Sequence, residues 1–235
     1  MTGKAMSPYA RLVTPETLVG CGTRWDAVPF VPEIRLLTAA EPYGLWDRTG
    51  RDAPPFWAFP WAGGQALARY VLDNPGTVAA RRVLDAASGS GLVAIAAAKA
   101  GAAAVAAGDI DLNAIAAIGV NAAANGTSIT ARTLDLATDD AGDVEVVLMA
   151  DVFYQRELAA LALGFARAAA RSGAEVLVAD PGRAFFPAAH PNPFPAAHPD
   201  PVPEASLVPL ASYEVPVLRV LEGAAVKKVT VYRLA

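Results

Sequence analysis

Two short segments hold residue types suited to a positively charged ligand. The first, VLDAASGSG at residues 83–91, places Asp85 at the end of an apolar run and follows it with small residues. The second, ADVFYQ at residues 150–155, places Asp151 and Tyr154 directly after another apolar run. A carboxylate attracts an ammonium or sulfonium group, and an aromatic ring offers its face to a cation. Together the two segments predict cationic chemistry.

The small-residue loop in the first segment is typical of nucleotide binding. Gly89, Gly91 and Ala94 match the pattern G-x-G-x-x-A, and Asp109 follows about twenty residues later,. No lysine follows the glycines, so the loop is not a P-loop. A pyrophosphate would be repelled by Asp85, which disfavours a nicotinamide cofactor. S-adenosylmethionine fits both acids, because Asp109 can accept from two ribose hydroxyls while Asp85 lies near the ammonium group. The alternative is that both acids merely cap loops.

The elements that must position these residues alternate along the chain. A helix is predicted over 63–75, and a short helix is predicted for VPEIRLLTA at residues 31–39,. Apolar runs then alternate with alanine-rich helical patterns, and two strand-like segments close the chain. The predicted strands are 82–87, 103–109, 128–134, 144–150, 174–180, 213–223 and 226–234, and the helices between them are 91–100, 111–124 and 156–171.

This order predicts an α/β fold: a Rossmann-like, doubly wound, seven-stranded sheet, mostly parallel, with a C-terminal antiparallel hairpin. Asp111 is expected to cap the helix that follows it. Residues 1–55 are interpreted as an N-terminal extension with the short helix, and residues 56–235 as the main domain.

Composition excludes several classes of function. The net charge of −4 argues against nucleic-acid binding, which needs a basic face,. No segment is apolar enough for a membrane span, and the N-terminus lacks a signal segment,. The lone Cys21 fits a cytoplasmic protein, and we interpret it as incidental,.

Both histidines lie in a tandem repeat. FPAAHPNP is followed at once by FPAAHPDP over residues 186–201, which contain His190 and His198. The proline-rich setting favours an extended loop over a metal site, so no metal is expected.

Several motifs in order resemble a known family. VLDAASGSG resembles the first motif of class I S-adenosylmethionine methyltransferases, although Ala87 stands where that family usually has its first glycine. With PPFWAFPWAGGQALARYVLDNP, GDID, ADVFY and ADPGR, the segment 30–186 is similar to the electron transfer flavoprotein β-subunit lysine methyltransferases, which carry an acid-x-x-aromatic motif.

The resemblance implies a set of site residues. Asp151 and Tyr154 are expected to be catalytic, with Phe153 and Arg183 joining them in binding substrate. Trp61 would pack against the cofactor, and Asp135 would accept from the adenine amino group. The expected cofactor contacts are Trp61, Asp85, Ser88, Gly89, Ser90, Gly91, Asp109, Ile110, Asp135 and Ala150.

The implied activity is S-adenosylmethionine-dependent methylation of a protein lysine, with S-adenosylhomocysteine as product. Asp151 can hold the lysine ammonium and then orient the neutral amine, although helix capping is the alternative. Methyltransferases acting on adenine or amides typically carry [N/D]-P-P-[Y/F] here, and DVFY has no proline. The implied partner is the β subunit of the flavoprotein, bound by a monomeric enzyme. A ribosomal-protein methyltransferase, a non-catalytic cofactor-binding module and an NAD-dependent oxidoreductase remain alternatives.

Overall fold

The computed structural model describes residues 22–41, 44–45, 54–187 and 207–235. Its strands are β1 (Thr23–Val28), β2 (Val31–Ala39), β3 (Arg82–Ala86), β4 (Ala104–Asp109), β5 (Thr130–Thr133), β6 (Val146–Ala150), β7 (Glu175–Asp180), β8 (Leu207–Pro216) and β9 (Val226–Leu234). Its helices are α1 (Ala62–Asp73), α2 (Leu92–Lys99), α3 (Leu112–Ala124), α4 (Arg156–Arg171) and α5 (Arg219–Glu222), with 3₁₀ turns at Phe56–Ala58 and Pro75–Thr77.

The predicted doubly wound sheet is confirmed. Seven strands lie in the order β5-β4-β3-β6-β7-β9-β8. The first five of these are parallel to one another, and β9 is antiparallel to both of its neighbours. The central strands β3 and β6 are buried along most of their length, as expected for strands covered by helices on each side,. The carboxyl ends of the parallel strands therefore meet at one edge of the sheet, where open α/β folds bind ligands.

The short helix predicted for residues 31–39 is wrong, because this segment is the strand β2. It pairs antiparallel with β1 from Thr23 opposite Ala39 onwards, forming a separate two-stranded sheet. The spacing of Val31, Ile34 and Leu37 resembles one face of a helix, but all three side chains are buried while paired in the hairpin. Pairing with β1 decides the conformation of this segment, and the sequence of β1 itself shows only a weak strand pattern.

The C-terminal hairpin is confirmed, but the long strand predicted over 213–223 is wrong in its second half. Strand β8 begins earlier, at Leu207, and ends at Pro216. The residues that follow turn into α5, which stops at Gly223 with φ of 73°. Glycine adopts this left-handed conformation readily, so it ends the helix before β9 begins.

Two asparagines, one in α3 and one that caps its C-terminal end, attach the β1–β2 hairpin to the main sheet. The buried Asn121 accepts a hydrogen bond from the Leu37 amide at 2.8 Å and donates to the Ser90 carbonyl at 2.8 Å. Asn125 lies one turn later, at a more exposed position. Its side chain accepts from the Arg35 amide at 3.1 Å and donates to the Arg35 carbonyl at 2.7 Å. Asn121 thereby joins the hairpin to the loop after β3.

We expect Asn121→Ala to lower the free energy of unfolding by about 3 kcal/mol, because it leaves a buried N–H and a buried C=O without partners. Asn125→Ala is the matched control on the same helix. Water can replace its bonds, so its cost should be about 1 kcal/mol or less. Urea unfolding of both variants measures the difference. Equal losses would show that the burial of Asn121 is unimportant.

Candidate active site

Four acidic residues lie at the carboxyl edge of the parallel sheet. Asp85 is on β3, Asp109 ends β4, Asp151 directly follows β6, and Asp180 ends β7. The first three line a cavity of about 460 Å³, which is within the range of small-molecule sites,. The alternation of strands and helices brings together acids that are far apart in sequence.

Most of the predicted site residues line this cavity. They are Trp61, Asp85, Ser88, Gly89, Ser90, Asp109, Ile110, Ala150, Asp151, Tyr154 and Arg183. These residues line the same cavity, and the roles assigned to them stay predictions.

Three predicted site residues lie outside the lining set. Gly91 caps α2 in the left-handed region and packs against Ile118. Asp135 accepts from the Ala137 amide at 2.9 Å, which places its carboxylate in a local turn. Phe153 is buried and packs edge-on against Phe186, with ring centroids 5.3 Å apart.

Asp85 is buried beneath the loop that begins α2. Its Oδ2 accepts from the Ser88 hydroxyl and from the Ala94 amide in the first turn of α2. Burial raises the pKa of its carboxyl to about 7, although both hydrogen bonds oppose the rise. A cation placed beside Asp85 would favour the ionised form.

Asp109 holds the glycine loop from the neighbouring strand. Its Oδ2 accepts from the Gly89 amide at 2.8 Å and its Oδ1 from the Asp111 amide at 2.9 Å. Burial raises the pKa of this carboxyl as well. Two carboxylate oxygens together can accept about four hydrogen bonds, so Asp109 has capacity beyond these two. Two adjacent acceptors suit the two hydroxyls of a ribose.

Ala87 begins the loop in a backbone conformation that favours glycine. Its φ is 55°, in the left-handed region, which costs an L-residue about 1–2 kcal/mol,. This explains why related loops usually have glycine at the position. Here the alanine adopts the conformation that the turn requires.

Asp151 is held in place by contacts to β7 and α1. Its backbone has φ of 55°, and its amide donates to the Ala179 carbonyl on β7. The side-chain Oδ2 accepts from the Gly64 amide at 3.1 Å, at the start of α1. A Cβ built on Gly63 would lie 2.5 Å from this oxygen, so the absent side chain makes room for the carboxylate.

Arg183 joins Asp151 to a residue of the C-terminal segment. Its guanidinium donates to Asp151 Oδ1 at 2.6 and 3.1 Å, and to the two oxygens of Glu222 at 3.1 and 3.2 Å. Burial raises the pKa of Asp151, and the neighbouring guanidinium limits that rise. Burial lowers the pKa of Arg183, but its two carboxylate partners outweigh this effect and leave it above its usual value.

The turn after β7 sets the direction of Arg183. Asp180 Oδ1 accepts from the amides of Gly182 and Arg183 at 2.7 and 2.6 Å. Its Oδ2 is buried without a hydrogen-bond partner, and burial raises the pKa of this carboxyl to about 7. Asp180 therefore shapes the backbone that presents Arg183.

Aromatic rings wall the cavity beside Asp151. The Phe56 ring lies 5.2 Å from that of Tyr154 and 5.9 Å from that of Trp61, between centroids. The Trp61 indole donates to the Phe56 carbonyl at 2.8 Å, and the Arg183 guanidinium lies 5.8 Å from its ring. Such walls exclude water and favour cations.

Sequence reasoning missed three of these residues. Gly63 and Gly64 form a pair at the start of α1, and adjacent glycines in a helix are a signal of close approach. Glu222 lies in a segment predicted to be a strand, so nothing in the pattern indicated that it would reach the site.

Other predictions lie outside the described residues. The structure does not describe Cys21, His190 or His198, nor residues 188–201 of the 186–201 repeat. Among the residues that are described, no cluster of histidine, cysteine or acidic residues is arranged to hold a metal ion. No helix in the described part of the chain is long and apolar enough to cross a membrane.

Comparison with solved structures supports the fold. A tRNA (uracil-54, C5)-methyltransferase of Pyrococcus abyssi, in complex with S-adenosyl-L-homocysteine, matches with a TM-score of 0.54 at 12% identity, over 91% of this chain and 44% of that chain. This likeness shows the fold. Residues 65–161 match the family model described as ribosomal protein L11 methyltransferase (PrmA). Together with the relatives described next, this match makes the chain an S-adenosylmethionine-dependent methyltransferase.

Curated relatives narrow this class. The electron transfer flavoprotein beta subunit lysine methyltransferase of Xenopus laevis is 37% identical over 182 residues, which cover 75% of this chain and 74% of the relative. The Mus musculus relative is 39% identical over 158 residues, which cover 66% of this chain and 62% of the relative. The chain belongs to the electron transfer flavoprotein β-subunit lysine methyltransferase family.

The close approach at α1 predicts a pair of contrasting variants. Gly63→Ala should lower turnover at least tenfold, because its methyl group would lie 2.5 Å from Asp151 Oδ2 and 2.8 Å from the Ala179 carbonyl oxygen, so the carboxylate and the end of β7 must both shift,. Gly64→Ala is the control, since its Cβ would meet its nearest neighbour, Leu92, at an ordinary 3.7 Å. Both changes add a helix-favouring residue to α1. Equal turnover in the two variants, measured at saturating cofactor, would contradict the role of Gly63.

The raised pKa of Asp85 predicts that cofactor affinity depends on pH. Below pH 7 the empty site holds a protonated Asp85, and binding an ammonium group requires its ionised form,. The affinity for S-adenosylmethionine should therefore rise roughly tenfold from pH 5.5 to 7, with proton release. Adenosine, which lacks the ammonium, is the control ligand for calorimetry. The same pH dependence in Asp85→Asn would rule this origin out.

Proposed function

We propose that this chain methylates a lysine side chain on the β subunit of the electron transfer flavoprotein. The observation that carries the proposal is Asp151, a carboxylate fixed at the cavity edge between a helix N-terminal turn and Arg183, beside an aromatic wall. A carboxylate in that position suits a cationic amine better than a neutral amide. Membership of the family adds the expected substrate.

Lysine enters the reaction as an ammonium and must lose a proton before it can act as a nucleophile. Asp151 Oδ1 already accepts from Arg183, whereas Oδ2 accepts from the Gly64 amide, and a carboxylate oxygen can accept two hydrogen bonds,. The lysine nitrogen can donate there and, once neutral, keep its lone pair for the methyl carbon. Bound S-adenosylmethionine supplies that methyl group on a sulfonium.

The aromatic wall serves the proton loss as well as the binding. Tyr154, Phe56 and Trp61 reduce the water around the amine, and low polarity favours its neutral form,. The positive sulfonium acts in the same direction. The proton passes to solvent, so the site needs alignment more than a strong base.

A ribosomal protein is the second candidate substrate. The match of residues 65–161 to the ribosomal protein L11 methyltransferase model favours it. That match covers less of the chain than the lysine methyltransferase relatives do, so we place it second. A module that binds the cofactor without transfer is a further alternative, which a direct assay excludes or supports.

We further propose a monomeric cytoplasmic enzyme that binds a protein and no nucleic acid. The net charge of −4 disfavours a polyanion and suits a partner that presents lysines,. The single cysteine is compatible with a reducing compartment,.

The experiment offers both purified proteins, the flavoprotein β subunit and ribosomal protein L11, with S-adenosylmethionine. Mass spectrometry should show increments of one or more methyl groups on lysine of the β subunit. Modification of L11 alone would move the enzyme to the second candidate, and no modification of either would remove the proposed substrates.

Asp151→Asn tests the assigned role in the same assay. We expect turnover to fall by about 100-fold or more, because the amide loses the charge that holds the amine, while cofactor affinity changes little. Asp143→Asn is the matched control, since its side chain is 93% exposed. Loss of cofactor binding together with turnover would identify Asp151 as a structural residue instead.

A further inference from the structure

Glu222 is a buried acid that the proposed reaction does not use directly. It ends the short helix α5, and its side chain is 3% exposed. Its two carboxylate oxygens accept from the two terminal nitrogens of Arg183, and Oε1 also lies 3.5 Å from the Ala62 amide. Burying a carboxylate is costly unless it is paired, so this arrangement needs Arg183.

The charges of the cluster do not cancel. Asp151 and Arg183 form a direct ion pair and together carry no net charge. Glu222 adds a second carboxylate to the same guanidinium, which leaves one negative charge over the three side chains. Asp180 adds another when it is ionised. Of the two carboxylates that pair directly with Arg183, Glu222 therefore supplies the charge in excess of the guanidinium.

We propose that Glu222 is a specificity-determining residue: acting through Arg183, it keeps the Asp151 edge of the cavity negative and so selects a cationic acceptor side chain. This inference rests on the proposed lysine methylation and names a residue that sets its specificity. Without the charge of Glu222, Arg183 neutralises Asp151 alone, and the part of the edge beside Asp151 attracts an ammonium group less strongly.

The same charge has opposite effects on binding and on chemistry. A negative edge binds the ammonium form tightly, which lowers the KM for substrate. It also stabilises that protonated form, which holds back the loss of the proton. Removing the charge should therefore raise KM while kcat stays near its original value or rises. Simple damage to packing would lower kcat.

The test compares Glu222→Gln with Glu214→Gln, a control on the exposed face of β8. With the purified β subunit as substrate, Glu222→Gln should raise KM about tenfold and leave kcat within about threefold, as expected for one charge acting over a short distance. Glu222→Asp, which keeps the charge, should recover most of the change in KM.

A second neutral variant keeps the test open if the glutamine protein does not fold. Glu222→Met has a similar length and leaves no buried amide to satisfy, and it should show the same rise in KM. An unchanged KM in a folded neutral variant, or a fall in kcat alone, would overturn the inference. Absence of methylation by the unaltered enzyme would instead contradict the proposed function.

Discussion

The contact between the Asp151 carboxylate and the first turn of α1 constrains the rest of the site. The carboxylate lies where the side chain of any larger residue at position 63 would be, and it accepts from the next amide along the helix. The backbone at Asp151 adopts a left-handed conformation to reach that position. Such strain persists only where the surroundings enforce it, and here it aims a carboxylate at the cavity.

The acids at the sheet edge are carboxylates removed from water, and the groups that compensate their burial differ from one acid to the next. Asp85 accepts from the Ser88 hydroxyl and from an amide of α2, Asp109 accepts from the amides of Gly89 and Asp111, and burial still raises the pKa of both acids. Asp151 is satisfied by Arg183, which Glu222 also binds. This edge carries more negative than positive charge. S-adenosylmethionine, with its sulfonium and ammonium groups, and a substrate lysine would together bring positive charge to this edge. Charge complementarity, and not shape alone, therefore suits the site to these ligands.

Sequence patterns predicted the parts of this site that follow from local rules. Apolar runs ending in an acid identified the strands that carry Asp85, Asp109 and Asp151, and the parallel topology then placed these acids at one edge. The β1–β2 hairpin was missed because a strand is stabilised by its partner, which local patterns do not show. The apolar residues of β2 also have helical spacing, which predicted a helix instead. Glu222 was missed because it reaches Arg183 across 39 residues of sequence, through a short helix hidden in a strand-like pattern.

The central claim is that Asp151 receives the acceptor amine. A crystal structure of the enzyme with S-adenosyl-L-homocysteine and a lysine-bearing fragment of the flavoprotein β subunit tests it directly. We expect the lysine Nζ at hydrogen-bond distance, about 2.7–3.2 Å, from Asp151 Oδ2, with Arg183 still on Oδ1. A lysine bound elsewhere in the cavity, with Asp151 contacting Gly64 and Arg183 alone, would contradict it.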